Sequence, residues 1–317
     1  MDKKHKRKLL VICGPTATGK TNLAIHLSSL FDAELISADS RQVYKGMDIG
    51  TGKDKPPNQV IWGYDLVEPT ESFSVSQYQE IIRLKIEETW NLGKLPILVG
   101  GSGLYIKAIV DGIQTVHVPP NVSLREAYAS KSAFELFTLL VKLSPIKAKQ
   151  MNISDRNNPR RLLRAIEIAS AIDTNIYLNE DDDFVQDSLF IGLNIDSNSL
   201  RKKITSRVEK RIKDGMEEEV ESLVRKGVSW ESQALNSLGY KYWKDYFQGI
   251  INLKELKKLW ITDEYQYAKR QMTWFKRDQR IHWFDATLTD FVLEVEALVK
   301  RWHNSEIRYA KKSRNFS

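Results

Sequence analysis

Gly14-Pro15-Thr16-Ala17-Thr18-Gly19-Lys20-Thr21 has the spacing of a Walker A loop: glycine, four residues, glycine, lysine and a hydroxyl residue. Glycines at those positions let successive backbone N–H groups turn into one concavity. A helix starting at the loop adds its positive end, so the segment is built to hold phosphate. Lys20 would reach a terminal phosphate, and the Thr21 hydroxyl would ligate Mg²⁺.

A nucleotide-splitting site of this kind also needs an acid at the end of a nearby buried strand to hold the metal through water. The apolar run Pro96–Gly101 supplies none. Asp39, closing the short run Glu34–Asp39, is the early candidate, and Ser40, Arg41, Gln42 and Tyr44 follow it in a dense polar cluster. An acid there can equally cap a turn. Farther along, Arg207 and Arg211 lie one helical turn apart and can face one anion. The alternative for them is a solvated face paired with Glu209, Glu217 and Glu218.

These residues need a frame, and the chain alternates in a way that provides one. Lys8–Cys13 reads as a buried strand, and Thr21–Leu30 as a helix with Leu23, Ile25, Leu27 and Leu30 on its apolar side. Glu34–Asp39 is a second strand, Gln59–Leu66 is expected as a third, and Ser74–Trp90 is helical, capped by Ser74 or Ser76. Pro96–Gly101 is another buried strand and opens into the helix Ser102–Val110. Such alternation argues for a parallel sheet covered by helices. From 114 to 157 the pattern changes to helices and loops, followed by a helix at 158–172 with Pro159 near its start. An acidic loop at 179–187, a strand at 189–196, long helices at 198–226 and 252–280, a strand at 280–285 and a helix at 288–303 complete the reading. The predicted architecture is an α/β core of residues 1–113 and 187–317, interrupted by a helical insertion at 114–186.

Composition sets the outer limits. A chain of 317 residues suggests about two domains. The net charge of +7 is concentrated at the ends, residues 1–8 and 308–317, which read as solvated tails. Cys13 is the sole cysteine, which excludes an intrachain disulfide and an all-cysteine zinc cluster. No apolar run is long enough to cross a membrane, and Leu9–Gly14 is too short for a signal-peptide core, so a cytoplasmic protein is expected.

Six stretches now combine: residues 14–21, 37–53 (SADSRQVYKGMDIGTGK), 100–109 (GGSGLYIKAI), 155–169 (DRNNPRRLLRAIEIA), 238–243 (LGYKYW) and 267–278 (YAKRQMTWFKRD). In order and content they resemble the successive motifs of bacterial tRNA dimethylallyltransferases. The resemblance implies a P-loop NTPase-like fold in which the loop grips the diphosphate of dimethylallyl diphosphate rather than ATP. It implies transfer of the prenyl group to the exocyclic N6 amine of the adenine at tRNA position 37, with Mg²⁺ as cofactor. The expected partners are the anticodon stem-loop of tRNA and the prenyl diphosphate, bound by a monomer.

An adenine amine is a poor nucleophile and must lose a proton as its new bond forms, so Asp39 is the candidate base. Lys20, the loop N–H groups and Mg²⁺ on Thr21 would stabilise the departing diphosphate. Ser102 could orient the amine or a phosphate oxygen, or cap the helix after it. The resemblance makes Arg207 a diphosphate ligand, with Arg211 second. It also gives tRNA contacts to Asp39, Ser40, Arg41 and Gln42, and to Arg160, Arg161 and Arg164. Arg125 joins them from its position in the insertion. Lys269, Arg270, Lys276 and Arg277 cluster beside Trp274 and Phe275, which either stack on bases or pack in the core.

The chain departs from the family pattern in places. Ser102 replaces the usual Thr, residues 61–67 keep Asp65 without the usual histidines, and the insertion is short. Three rivals share the phosphate loop or the basic surface: an adenylate dimethylallyltransferase, an ATP-dependent small-molecule kinase, and a non-catalytic RNA-binding protein.

Overall fold

The computed structural model describes residues 7–57, 59–113, 115, 118–172 and 184–305. The basic ends and most of the expected acidic loop lie outside these residues. The chain divides into two compact units, one of residues 1–111 and 183–317 and one of residues 112–182.

The larger unit opens with β1 (Lys8–Cys13), α1 (Lys20–Leu30), β2 (Ala33–Ser37), β3 (Ile61–Trp62), α2 (Val75–Asn91), β4 (Leu95–Gly100) and α3 (Gly103–Val110). The smaller unit holds α4 (Val122–Ala127), α5 (Ala133–Leu143), α6 (Pro145–Gln150), α7 (Ile153–Arg156) and α8 (Pro159–Ile172). The larger unit then resumes with β5 (Asp187–Asn194), α9 (Ser197–Lys213), α10 (Met216–Arg225), α11 (Trp243–Phe247), α12 (Leu253–Phe275), β6 (Ile281–Asp285) and α13 (Phe291–Asn304).

The six strands form one all-parallel sheet in the order β3-β2-β4-β1-β5-β6. β1 is buried along its whole length because both its edges are paired and both its faces are covered. That explains why LLVIC is a continuous apolar run rather than an alternating one. Leu10, Ile12, Leu35, Ile97 and Ile191 pack against α1 and α13 on one face. Leu9, Val11, Ile36, Leu98 and Phe190 meet α2, α3 and α9 to α12 on the other. Strands β2 to β4 lie to one side of β1 and the strands after the insertion to the other. The C-terminal end of β1 is therefore the crevice where open parallel sheets take ligands.

Three expectations change. The third strand is two residues long, because Gly63 and Asp65 turn into positive φ directly after it. The helix expected at 198–226 breaks at Gly215, whose φ of 102° ends α9 and starts α10. The helix expected to reach 280 ends at Phe275. By contrast Ser74 caps α2 as expected, in a capping box with Gln77.

The smaller unit has its own core of Leu136, Leu140, Ala148, Met151, Leu162, Ala165 and Ile166. No described helix is long and apolar enough to cross a membrane.

Candidate active site

Between β1 and α1 the chain bends through Gly14, at φ 132°, where a side chain would meet the Leu193 carbonyl at 2.4 Å. No larger residue fits so close to β5. Thr18 Oγ1 donates to the Pro15 carbonyl at 2.9 Å and holds the loop shut from inside. α1 then begins at Gly19 with no side chain capping its end, so its free N–H groups are available to an anion.

The loop borders a cavity of about 680 Å³ that Thr16, Ala17, Gly19, Lys20, Thr21, Asp39, Gln42, Arg207 and Arg211 help to line. Gly14, Pro15 and Thr18 are buried and build the loop from behind. Lys20 Nζ donates to the Pro15 carbonyl at 2.5 Å, and among the described residues no carboxylate lies within ion-pair distance of it. Burial, then the charge of Arg207, pushes the Lys20 ammonium down to about 8. Burial, then Arg211, likewise lowers Arg207 to about 10, with Glu264 opposing. These cations stand close enough to lower one another.

Arg207 reaches the loop directly: its Nη1 donates to Thr16 Oγ1 at 2.8 Å. Arg211 is buried and paired with Glu264 at 3.4 Å, while Glu264 also lies 3.7 Å from Arg207. Both arginines therefore face the cavity, and their carboxylate partner is Glu264 rather than Glu209, Glu217 or Glu218. The sequence carries no local signal for this, since Glu264 sits on another helix.

α12 contributes more than its motif reveals. Gln271 Oε1 accepts the Thr16 N–H at 2.8 Å, and its Nε2 donates to the Gly101 carbonyl at 3.0 Å. One amide thus ties the phosphate loop to the end of β4. One turn earlier Tyr267 lines the same cavity, and burial holds its phenol protonated, at about 12.

Asp39 follows β2 and borders the cavity. Its Oδ1 accepts the Arg41 N–H at 2.8 Å, and among the described residues its Oδ2 accepts nothing. Capping and chemistry are therefore compatible, one on each oxygen. Of the two readings of Ser102, the helix cap is not made. Ser102 occupies the N-cap position of α3 without capping, and it does not line the cavity. Its Oγ accepts the Ser40 N–H at 3.0 Å, which fixes the turn that carries Asp39.

The remaining polar residues of that turn are engaged within the protein. Arg41 Nη1 donates to the Gln233 carbonyl at 2.8 Å. Gln42 accepts from Ser37 at 2.7 Å and donates to Gly52 at 3.1 Å, so its amide shapes the wall from Ser37 to Gly52. That segment is held in turn by Glu219, whose carboxylate accepts the N–H groups of Asp48, Ile49 and Gly50 at 2.8, 2.7 and 3.0 Å.

Thr21, Asp39 and Asp54 all border the cavity and offer hard oxygen donors. Among the described residues no group of three or more His, Cys, Asp or Glu could close around a metal. The donor set fits Mg²⁺ in its usual open form, with one or two protein oxygens and the other positions left to water and phosphate.

In the insertion, Arg125 makes a bidentate contact with buried Glu167, at 2.6 and 3.2 Å. Arg164 donates to the same carboxylate at 3.1 Å and to the Thr115 and Val118 carbonyls at 2.8 and 2.9 Å. Both guanidiniums hold the insertion together. Arg161 pairs with Asp155, and Arg160 is exposed with no partner among the described residues.

Comparison with known proteins agrees with this geometry. A family model described as IPP transferase matches residues 42–278, and one described as isopentenyl transferase matches residues 7–63. The chain is 38% identical over 299 residues to a tRNA dimethylallyltransferase of Gloeothece citriformis, covering 93% of this chain and 97% of that one. It is 37% identical over 289 residues to one of Anoxybacillus flavithermus, covering 88% and 91%. The crystal structure of full-length tRNA isopentenylpyrophosphate transferase from Bacillus halodurans superposes with a TM-score of 0.70 at 31% identity, covering 93% of this chain and 96% of that one. Loop, strand-end acid and paired arginines thus occur within a match that runs nearly end to end, and the chain belongs to the IPP transferase family.

Proposed function

We propose that this protein transfers the dimethylallyl group of dimethylallyl diphosphate to the N6 amine of the adenine just 3′ of the anticodon in tRNA. The observation that carries the reading is the phosphate loop with Lys20, Arg207 and Arg211 converging on it and Asp39 at the neighbouring strand end. Family membership supports it, and so do the names of the relatives.

In the reaction the allylic C–O bond breaks and its electron pair leaves with the diphosphate. The amine lone pair forms the new C–N bond, and the amine proton passes to Asp39 Oδ2. The loop N–H groups, Lys20, Arg207 and Arg211 meet charge that grows on the leaving group, which favours the transition state over the ground state. Mg²⁺, held at Thr21 with a neighbouring carboxylate, would supply further positive charge against the diphosphate. Tyr267 and Gln271 would hold the pocket's shape while the adenine enters. The enzyme would act as a cytoplasmic monomer.

The test is a labelled dimethylallyl diphosphate offered with unmodified tRNA, with AMP, or with no acceptor, while ATP hydrolysis is followed alongside. Label in tRNA alone is expected. Label in AMP would make the protein an adenylate prenyltransferase, and ATP turnover without prenyl transfer would make it a kinase or ATPase.

A further inference from the structure

A second cavity, of about 350 Å³, lies against α3, the end of α12 and the start of β6. Its position follows from the stripe that shapes the active site. Tyr267, Gln271 and Trp274 recur at i, i+4 and i+7 on α12, on one helix face. Tyr267 and Gln271 line the diphosphate cavity and Trp274 lines the second one. On the facing chain Gly101 packs against Gln271 and Gly103 against Trp274, with Ser102 between them. A Cβ on Gly103 would lie 2.1 Å from Trp274 Nε1, so the indole can occupy this place because residue 103 has no side chain.

Trp274 is 44% exposed, whereas the adjacent Phe275 is buried in the core. Ile106, Phe190 and Ile281 line the back of the cavity, nearly buried, with the Arg280 guanidinium 4.5 Å over the Phe190 ring. The two acids of the cleft share one guanidinium, which leaves the cluster one net negative charge against the two rim cations. Arg280 makes bidentate contacts with Asp111, at 2.6 and 3.0 Å, and with Asp278, at 2.9 and 2.6 Å. The exposed rim cations Lys107 and Arg277 have no ion-pair partner among the described residues. The cleft therefore presents a flat aromatic face and, at its rim, two cations that outweigh the charge left on the acids, a few residues from the serine that fixes the catalytic turn. That combination suits a ligand that is flat and apolar at one end and anionic at the other.

We propose that this cleft is a subsite for the RNA substrate: it receives a nucleotide directly adjacent to the target adenine, with its base stacked on Trp274 and its phosphate between Lys107 and Arg277. The proposal rests on the prenyl-transfer reading above. Drawing the target base out of the anticodon loop leaves its neighbour without a stacking partner. A half-exposed indole replaces that partner, and rim cations hold the phosphate, as in other single-strand sites.

The experiment measures prenylation of an anticodon stem-loop RNA by wild type, Trp274→Ala, Trp274→Phe and Lys107→Gln/Arg277→Gln. Trp274→Ala should raise KM for the RNA roughly five- to a hundred-and-fifty-fold, the range for loss of one stacked base. KM for dimethylallyl diphosphate should stay unchanged, and Trp274→Phe should recover most of the loss. The double variant should flatten the log–log salt dependence of RNA binding by roughly 0.7, the effect of one lost phosphate contact. A stem-loop with an abasic nucleotide 5′ or 3′ of the target should be a poor substrate for wild type at one of the two positions, and no poorer than the intact loop for Trp274→Ala. An unchanged RNA KM in Trp274→Ala overturns the proposal, as does an abasic penalty that persists in that variant. Wild type that fails to prenylate any RNA would instead overturn the functional reading beneath it.

Discussion

Arg207 and Thr16, 191 residues apart, share a hydrogen bond of 2.8 Å. The same guanidinium lies 3.7 Å from Glu264, so it is aimed at the phosphate loop from one side and restrained from the other. Arg207→Ala should lower kcat/KM for dimethylallyl diphosphate roughly ten- to a hundredfold, the scale of a hydrogen bond to a charged group. Arg207→Lys should recover little, because an ammonium cannot span both partners as a planar fork does. Steady-state kinetics with the donor varied at saturating RNA would measure this.

Glu264 is nearly inaccessible and faces two guanidiniums. Glu264→Gln leaves buried Arg211, and half-buried Arg207 beside it, without their carboxylate, and should cost about 3 kcal/mol of stability. Diphosphate supplies an anion to the same guanidiniums, so adding it should restore more of the melting temperature in the variant than in wild type. Equal shifts in the two proteins would separate Glu264 from the anion site.

The Lys20 ammonium, lowered to about 8 by burial and by Arg207, gives the pocket a pH signature. Diphosphate binding to the free protein should be level below that value and weaken by about tenfold per pH unit above it, as the ammonium is lost. Lys20→Arg should remove the break. The stability of the unliganded protein moves in the opposite sense. The folded-state value lies below the ordinary 10.5, so burial opposes the charged form, and stability should rise as pH climbs from about 8 towards 10.5. Titration calorimetry and melting curves across pH 7–10 would show both trends.

Asp39→Asn should fold normally, because Asn retains an oxygen to accept the Arg41 N–H at the capping position. It cannot take the amine proton, and turnover should fall about a hundred- to ten-thousandfold with RNA binding intact. Near-normal turnover would leave Asp39 as a turn cap alone.

In the insertion the arginines should separate into two groups. Arg125→Ala or Arg164→Ala leaves Glu167 short of partners inside the helical unit and should lower the melting temperature. Arg160→Gln should leave stability unchanged. If Arg160 meets RNA phosphate, the salt dependence of tRNA binding should flatten by roughly 0.7–0.9 in log–log slope. Differential scanning calorimetry beside binding at several salt concentrations distinguishes the two.

What the sequence disclosed of this site was whatever is contiguous or periodic. The phosphate loop is a single stretch, Asp39 ends an apolar run, and Arg207 and Arg211 are one turn apart. Tyr267, Gln271 and Glu264 stood in or beside a recognised motif, yet their work depends on α12 packing against loops far upstream. The Thr16 to Gln271 bond spans 255 residues, and nothing in either neighbourhood announces it. Gln42 and Ser102 show a structural side that the sequence hides for a related reason. Their polar groups look free in sequence, and the fold uses them to hold Gly52 and Ser40. Element boundaries shifted where single residues took positive φ, at Gly63 and Gly215.

The strand order has a consequence for how the protein is born. β1 leaves the ribosome before every other strand, yet its two neighbours are β4 and β5, and β5 is translated after the whole insertion. A nascent chain therefore carries a finished phosphate loop long before it owns the arginines and the glutamine that complete it. Until β5 emerges one edge of β1 is unpaired, and until α12 emerges the loop lacks its counter-wall. The window between synthesis of β4 and β5 is when the growing polypeptide most needs shielding from misassociation.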